Sequence, residues 1–390
     1  MTRDLDGPVA IIGAGIGGLT AALSLQHLGV PVRVFEQARA LREIGAGVTI
    51  TPNAMSALDF LGIGPALAEQ AGETPRYFVR SAADGRELER GPDPDSFQPD
   101  FGVGYCNLHR ADLHLALTDA VTKSDPDAIV LDHRFDYLEQ DGDKVVAHFS
   151  NRAAFEAPAL IGADGGASAV RDAVFGGQDA SYTGHVALRA LVPFSRVPEA
   201  VMADPYALYV GAGRSLIHYP LRRQTTMNLL GNAQASQWQA EGWAIPATVP
   251  EFLGLFDDFP EPVRELIMAI GAPDLFKWGL RDREPLPAWT RGRVTMLGDA
   301  AHPMTPYLGQ GACMAIEDGL VLGRAFAASQ DLAEAFSRYE AARRDRANGV
   351  QLAARYQGTQ HHGSTASGPN SGKTAVTLGL FSYNPVTEPV

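Results

Sequence analysis

The sequence predicts a mixed α/β fold, in which a unit of parallel strands and helices is interrupted by an antiparallel sheet and followed by helices toward the C-terminus. Three observations carry that expectation. An apolar run, a glycine-rich turn, a helical segment and a second apolar run succeed one another over residues 8–36. Between Tyr182 and Gly231 the texture changes to short strand-like runs separated by turn residues. From residue 249 onward helical patterns dominate, broken by the strand-like Val294 to Leu297. The length of 390 residues fits this division, because it exceeds the size at which one hydrophobic core keeps growing.

Taken in order, Pro8 to Ile12 is apolar and partly β-branched, Gly17 to Leu28 has helical composition, Gly29 stands where a helix stops, and Val32 to Phe35 is a second strand. Residues Val9 to Leu25 carry no charge, yet Thr2-Arg3-Asp4-Leu5-Asp6 is not a positive leader and four glycines interrupt the run. A buried strand entering a helix is expected there, not a membrane span or signal peptide. Helical patterns follow at Asn53 to Leu61 and Ala111 to Val121, and Asp132 to Phe149 alternates about the turn-forming Gln140 to Asp143, as a hairpin does. The inserted sheet is expected from Val186 to Phe194, Tyr206 to Val210, Ser215 to Leu221 and Thr225 to Leu230, with a turn at Gly211 to Arg214. Helices are expected over Val249 to Ile270, Gly311 to Gln330 and Asp331 to Tyr356, then a mobile Gly/Ser/His-rich loop from Gln360 to Lys373 and a last ordered piece ending at Pro385. The expected domains are 1–75, 100–180 and 275–335 for the first unit, 76–99 and 181–274 for the inserted one, and 336–390 for a helical region and tail.

A net charge of -13 argues against nucleic acid or an anionic membrane as the main partner. Cys106 and Cys313 are too few for a disulfide framework and sit in no metal-ligand spacing, so no metal is expected and a reducing, cytoplasmic setting follows.

Three glycine-centred motifs carry chemistry. In GAGIGG, Gly13 allows the tight turn after the strand, Gly15 lets backbone approach a pyrophosphate, and Gly18 lets helix and strand pack closely. Glu36 ends the second strand, where a carboxylate can accept from both ribose hydroxyls; together these predict a Rossmann-like dinucleotide site. In LGDAAHP, Asp299 follows a strand and precedes a helix opened by Gly309-Gln310-Gly311-Ala312. It can bond a ligand hydroxyl or merely cap a helix, and His302 can be structural or functional. In GADGGASAVR, Asp164 with Ser168 and Arg171 reads, taken alone, as a strand, turn and capped helix.

The ordered trio, with His109-Arg110-Ala111-Asp112-Leu113 and Arg42 ahead of Gly45-Ala46-Gly47, resembles the FAD-dependent aromatic hydroxylases of the para-hydroxybenzoate hydroxylase class. GAGVTITPN from Gly45, the Ile217 to Arg222 run and GQGACMAIEDG from Gly309 resemble its salicylate hydroxylase and hydroxynicotinate monooxygenase branch. The resemblance implies a Rossmann-like FAD-binding domain with an inserted antiparallel β-sheet substrate domain and C-terminal helices. It implies that Glu36 holds the adenosine ribose, with Gln37 also cofactor-binding, that Arg42 and Arg110 meet the ribityl and pyrophosphate portion, and that Asp164 belongs to the motif serving both FAD and the nicotinamide donor. It further implies that Asp299 holds the ribityl chain, that Ala46, Gly47 and Val48 are cofactor-binding, and that the turn with Gly309, Gly311 and Ala312 lies by the flavin ring. NADH or NADPH would reduce FAD, O2 would give a flavin C4a-hydroperoxide, and a small hydroxylated aromatic or N-heteroaromatic, carboxylated substrate would be hydroxylated, with decarboxylation as an option of the branch.

The protein must add a dry pocket and a group that handles the substrate hydroxyl proton. His218 is one candidate base and a satisfied buried histidine is its alternative; strand alternation puts His218 and Tyr219 on opposite faces. Tyr307 is the other catalytic candidate. Some relatives carry a histidine there and two residues after Gly47, where this chain has Tyr307 and Thr49. Arg189, Tyr209, Tyr219 and Pro306 are the substrate-binding candidates; Arg189 can pair with a carboxylate or meet the flavin edge, while Arg214 and Arg222 read as surface residues. A reductase or dehydrogenase without oxygen insertion, and a non-catalytic flavin-binding protein, remain alternatives. A monomer or homodimer is expected.

Overall fold

In the computed structural model the described residues are 5–41, 47–71, 74–91, 104–177, 179–211, 213–236, 238, 245–271, 275–361 and 378–390. In chain order the elements are β1 (Val9–Ile12), α1 (Ile16–Gln26), β2 (Val32–Phe35), β3 (Gly47–Ile50), α2 (Pro52–Phe60), α3 (Gly64–Ala71), β4 (Phe78–Ser81), β5 (Glu87–Arg90), β6 (Cys106–His109), α4 (Arg110–Ser124), β7 (Ile129–Val130), β8 (Phe135–Asp141), β9 (Lys144–Phe149), β10 (Ala154–Ala157), β11 (Leu160–Gly162) and α5 (Ala169–Phe175). They continue with β12 (Ser181–Pro193), α6 (Glu199–Met202), β13 (Ala207–Gly211), β14 (Arg214–Leu221), β15 (Thr226–Gln234), β16 (Ile245–Pro246), α7 (Val249–Leu255), α8 (Glu261–Met268), β17 (Leu275–Asp282), β18 (Thr290–Arg291), β19 (Val294–Met296), α9 (Gly311–Ala328) and α10 (Leu332–His361).

A six-stranded sheet in the order β18-β19-β11-β1-β2-β7 forms the first unit. Strands β1, β2, β7, β11 and β19 run parallel, and β1 is buried at every position because helix α1 and the three-stranded antiparallel sheet β10-β9-β8, whose Phe149 and Phe155 pack on Phe35 of β2, both cover the parallel strands. An eight-stranded sheet, β16-β17-β12-β15-β14-β13-β4-β5, forms the second unit, with α7 and α8 packed on one face through Phe252, Phe256, Val263 and Leu266. The short β3–β6 ladder stands between the two.

Two expectations, on the domain boundary and on the start of the tail loop, need correction. Strand β17 belongs to the inserted sheet, paired with β12, so the chain returns to the first unit after Asp282 and not at residue 275. The helical segments expected over Val249 to Ile270 are two helices: the first stops at Leu255, where Phe256 leaves helical geometry at φ -131°, and Pro260, extended at ψ 145°, precedes the second. Gln360 and His361 finish α10 and are not loop; the rest of the expected mobile segment, from residue 362, lies outside the described residues.

No helix among the described residues is long and apolar enough to cross a membrane.

Candidate active site

The carboxyl ends of β1, β11 and β19 lie side by side, and each runs into one of the three glycine motifs. Ligands bind at such edges because the loops there open outward while the strands hold them rigidly. Gly13 has φ +107°, and a Cβ there would overlap the carbonyl of Ala163 in the second motif. Nothing stands within 4 Å of the space beside Gly15, so a ligand can approach that backbone. The Glu36 carboxylate reaches back to the same turn, accepting from Ala14 N at 3.0 Å and Ala38 N at 2.9 Å.

Helices α1 and α9 pack in parallel. A Cβ on Gly17 would meet Leu297 at 2.8 Å and Ala315 at 3.1 Å, one on Gly319 would meet Ala21 N at 2.7 Å, and one on Gly323 would overlap Ser24. Those pairs advance together along both helices, so both N-termini face the same edge. Neither start carries a side-chain cap or an acidic residue in its first turn, which leaves the terminal amides of both for an outside acceptor. Gly309 precedes α9 at φ +63°, with open space beside it. This donor set fits a long anionic ligand with phosphates at one helix start and an electron-accepting ring at the other.

Asp299 keeps exposed surface although protein surrounds it on most sides, as for a group on the wall of a deep cleft; that partial enclosure raises its carboxyl above the usual range. Its Oδ1 lies 3.8 Å from where a Gly311 Cβ would stand. The charge of Arg110, which opens α4, acts on both Asp299 and Arg189, so it lies near both the third motif and the inserted sheet. Gln37 is exposed and Val48 is half-buried on β3, while Arg42 and Ala46 lie outside the described residues. Asp164 is engaged by its own helix, accepting from Ser168 Oγ at 2.5 Å and Val170 N at 3.0 Å, and the desolvation of the site raises its carboxyl. Arg171 ties the second motif to the third, donating to Ala300 O at 3.1 Å and Gly166 O at 2.9 Å.

Across the cleft stands one face of the inserted sheet. The registers place Arg189, Leu191, Ile217, Tyr219, Asn228, Leu230 and Trp278 on it together. Gly47 N donates to Asn228 Oδ1 at 2.8 Å, and a Cβ on Gly47 would lie 2.7 Å from the Tyr219 hydroxyl, so this face touches the first unit closely. Arg189 lies over the Trp278 ring at 5.5 Å, and its buried Nε has no hydrogen-bond partner among the described residues. Burial is the main pressure on that guanidinium, lowering its proton affinity. Tyr307 packs from the third-motif side against Ala187, Leu230 and Leu280, with Pro306 half-buried beside it. Burial raises the Tyr307 and Tyr219 phenols, so both stay protonated at neutral pH.

His218 and Tyr209 are not brought to this face. They stand on the opposite one: Tyr209 joins the cluster beneath α7 and α8, and the His218 ring sits 6.0 Å from it. His218 Nδ1 lies 3.2 Å from Pro205 O, and burial pushes its pKa down to about 4. The expectation of His218 as a base and of Tyr209 as a substrate contact is therefore corrected by the direction of the pleat. Arg214 forks onto Asp258 at 2.7 and 2.8 Å and Arg222 onto Asp112 at 2.7 and 2.8 Å, the surface roles expected of them.

A buried charge network beneath the third motif was missed. Asp318 accepts from Gly298 N at 2.9 Å, pairs with His302 Nε2 at 2.6 Å and takes Arg343 Nε at 2.8 Å. Glu317 pairs with Arg343, with Arg346 at 2.9 Å and with Asn53 at 2.5 Å. This gives His302 a structural bond. The available signal was an acidic pair, Glu317-Asp318, within an otherwise apolar helix. Among the described residues no cluster suits a metal ion.

Three comparisons bear on these features. The model of a family described as FAD binding domain matches residues 6–354. A 3-hydroxybenzoate 6-hydroxylase of Polaromonas naphthalenivorans is 38% identical over 92% of this chain and 88% of its own, and a 6-hydroxynicotinate 3-monooxygenase of Bordetella bronchiseptica is 34% identical over 88% and 89%. The crystal structure of Klebsiella pneumoniae HpxO complexed with FAD and uric acid superposes with a TM-score of 0.86 at 28% identity, covering 97% of this chain and 98% of that one.

Proposed function

Because this chain belongs to the FAD-dependent aromatic hydroxylases and is a flavoprotein monooxygenase, we propose that it hydroxylates a small aromatic or N-heteroaromatic ring bearing a hydroxyl and a carboxylate, with NADH or NADPH as reductant. The observation that carries this reading is Arg189: a guanidinium with an unpartnered buried Nε on the sheet face across from Asp299 and the Gly309 turn. A buried cation without a counter-charge is costly unless a ligand supplies one, and a planar carboxylate matches its fork.

FAD, when bound, supplies electron transfer from the reductant and the activation of dioxygen. The uncapped start of α1, Gly15 and Glu36 would hold its adenosine diphosphate half, and Asp299, Gly311 and the start of α9 its other half. Arg189 holds the substrate carboxylate. Tyr219 and Tyr307, protonated at neutral pH, donate hydrogen bonds to the ring hydroxyl oxygen and orient the ring. With Arg189 close by, those donors lower the proton affinity of the substrate hydroxyl, so the ring is bound in its ionised, more nucleophilic form, its proton having passed to bulk water. Trp278, Leu230 and Ile217 exclude water from this face.

The test is a panel of hydroxybenzoates, hydroxypyridines and their decarboxylated analogues, scored by stimulated NAD(P)H oxidation and by hydroxylated product. Carboxylated members are expected to be preferred. Consumption of reductant that yields peroxide with every compound, and no hydroxylated product, overturns the reading.

A further inference from the structure

The last turn of α10 ends against the candidate site. Tyr307 stands in the short 3-10 turn Pro306–Leu308, and its ring is packed by two layers. From one come Ala187, Leu230 and Leu280 of the inserted sheet. From the other comes α10: a Cβ on Gly358 would lie 2.5 and 2.6 Å from two carbons of the Tyr307 ring, and the buried His361 ring meets Tyr307 edge-on, at 5.9 Å and 86°. His361 is itself held by Gln357, fully buried one turn earlier, whose amide nitrogen donates to His361 Nε2 at 2.9 Å.

Glycine is a poorer helix former than alanine, and at Gly358 the neighbouring ring explains why no side chain stands there. Gly349, in the same helix, has nothing within 4 Å of the place its Cβ would take. Apolar carbons rest at about 3.5–4.0 Å from one another, so a methyl group at position 358 has to push the Tyr307 ring by about 1 Å. The sheet residues behind that ring leave it nowhere to retreat without a change of tilt, and a phenol hydrogen bond weakens steeply as its angle opens.

We infer that Gly358 and His361 are positioning residues, which hold the Tyr307 hydroxyl at the angle from which it donates to the substrate. The inference rests on the hydrogen bond from Tyr307 to the ring hydroxyl set out above. It makes the end of the C-terminal helix part of the hydroxylation site, although neither residue touches the substrate. Gly309, at φ +63°, follows Tyr307 by two residues, so the same contact steadies the turn that opens α9.

The experiment labels the FAD-loaded enzyme with fluorotyrosine and follows the fluorine NMR signal of Tyr307, identified by its loss in Tyr307→Phe. In parallel, product and reductant are measured with the hydroxybenzoate of the panel that is turned over fastest. Gly358→Ala is expected to displace the signal and to lower kcat for hydroxylated product roughly tenfold, with KM little changed because Arg189 still holds the carboxylate. Product per reductant falls as well, while FAD content stays the same. Gly349→Ala, with room for its methyl group, changes none of these. His361→Leu serves as a second variant should Gly358→Ala fold poorly; it displaces the signal and lowers kcat in the same way, and His361→Phe, which keeps an aromatic edge, restores both. An unmoved signal, or a displaced signal with unaltered kcat and product per reductant, overturns the proposal. If no panel compound yields product from the unsubstituted enzyme while the signal still moves, it is the substrate reading that fails, and the contact between α10 and Tyr307 stands.

Discussion

Arg189 and His218 sit on neighbouring strands of one sheet and point to opposite sides of it, which gives each a separate test. Replacing Arg189 with Ala removes the charge that would meet a carboxylate. The expected result is a KM for the carboxylated substrate raised roughly one hundredfold, with FAD content retained and little change for a decarboxylated analogue. An equal effect on both compounds would place Arg189 at the flavin instead. His218 is depressed to about 4 by burial, whereas an unfolded histidine titrates near 6.5. The unfolded chain therefore binds more protons between those values, and stability rises with pH across that window. His218→Gln should reduce the stability difference between pH 5 and pH 7 by about 2 kcal/mol, measured by urea unfolding, and leave product per reductant unchanged. Alternation separated His218 from Tyr219 in the sequence already. It could not say which of the two faces the cleft, because that depends on where α7 and α8 pack, which no local pattern encodes.

At the scale of elements, the hairpin joining β14 to β15 is built against backbone preference. Arg222, Arg223 and Gln224 all take positive φ, at 50°, 52° and 61°. Side chains rarely adopt that region, at a cost of about 1 kcal/mol each. Two of the three are anchored by ion pairs, Arg222 to Asp112 and Arg223 to Glu69 at 3.1 Å, whereas Gln224 is exposed. Gln224→Gly is thus expected to stabilise the protein by about 0.5–1 kcal/mol, read as a higher unfolding midpoint with unchanged activity. Most elements were legible because their signals are local: glycine stops, turn clusters and period-two alternation located β1, α1, β2, the β8–β9 hairpin and strands β12 to β15 of the insert. Strands β4 and β5 were not, since β4 is four residues long and pairs in parallel with β13, more than a hundred residues away. Their pairing is fixed by that distant partner and not by their own composition.

For the whole molecule, the charge network under the third motif links parts far apart in the chain. Arg343 of α10 is fully buried against Glu317 and Asp318 of α9, and Tyr383 of the C-terminal segment stacks on Arg346 at 3.8 Å. Burial alone would favour neutral acids, yet the arginines and His302 hold both carboxyls below the usual range, Asp318 at about 2. Arg343→Met leaves two buried carboxylates short of a counter-charge. A loss of about 3–5 kcal/mol of stability is expected, along with weaker FAD retention on gel filtration, since Asp318 also anchors Gly298 beside Asp299. The glycine motifs of the cleft were legible because each needs a particular residue at a particular turn; this network was not, because its members are spread from Asn53 to Arg346 and only folding brings them together. The parallel pairing of α1 with α9 has one more consequence. By clamping two anion-attracting helix starts side by side, it turns the cleft into a gauge of molecular length. A compound carrying only the ring half, such as FMN, would register with one mark of that gauge and miss the other, so apoprotein offered equal FMN and FAD should take up the longer molecule almost exclusively, as read by flavin fluorescence.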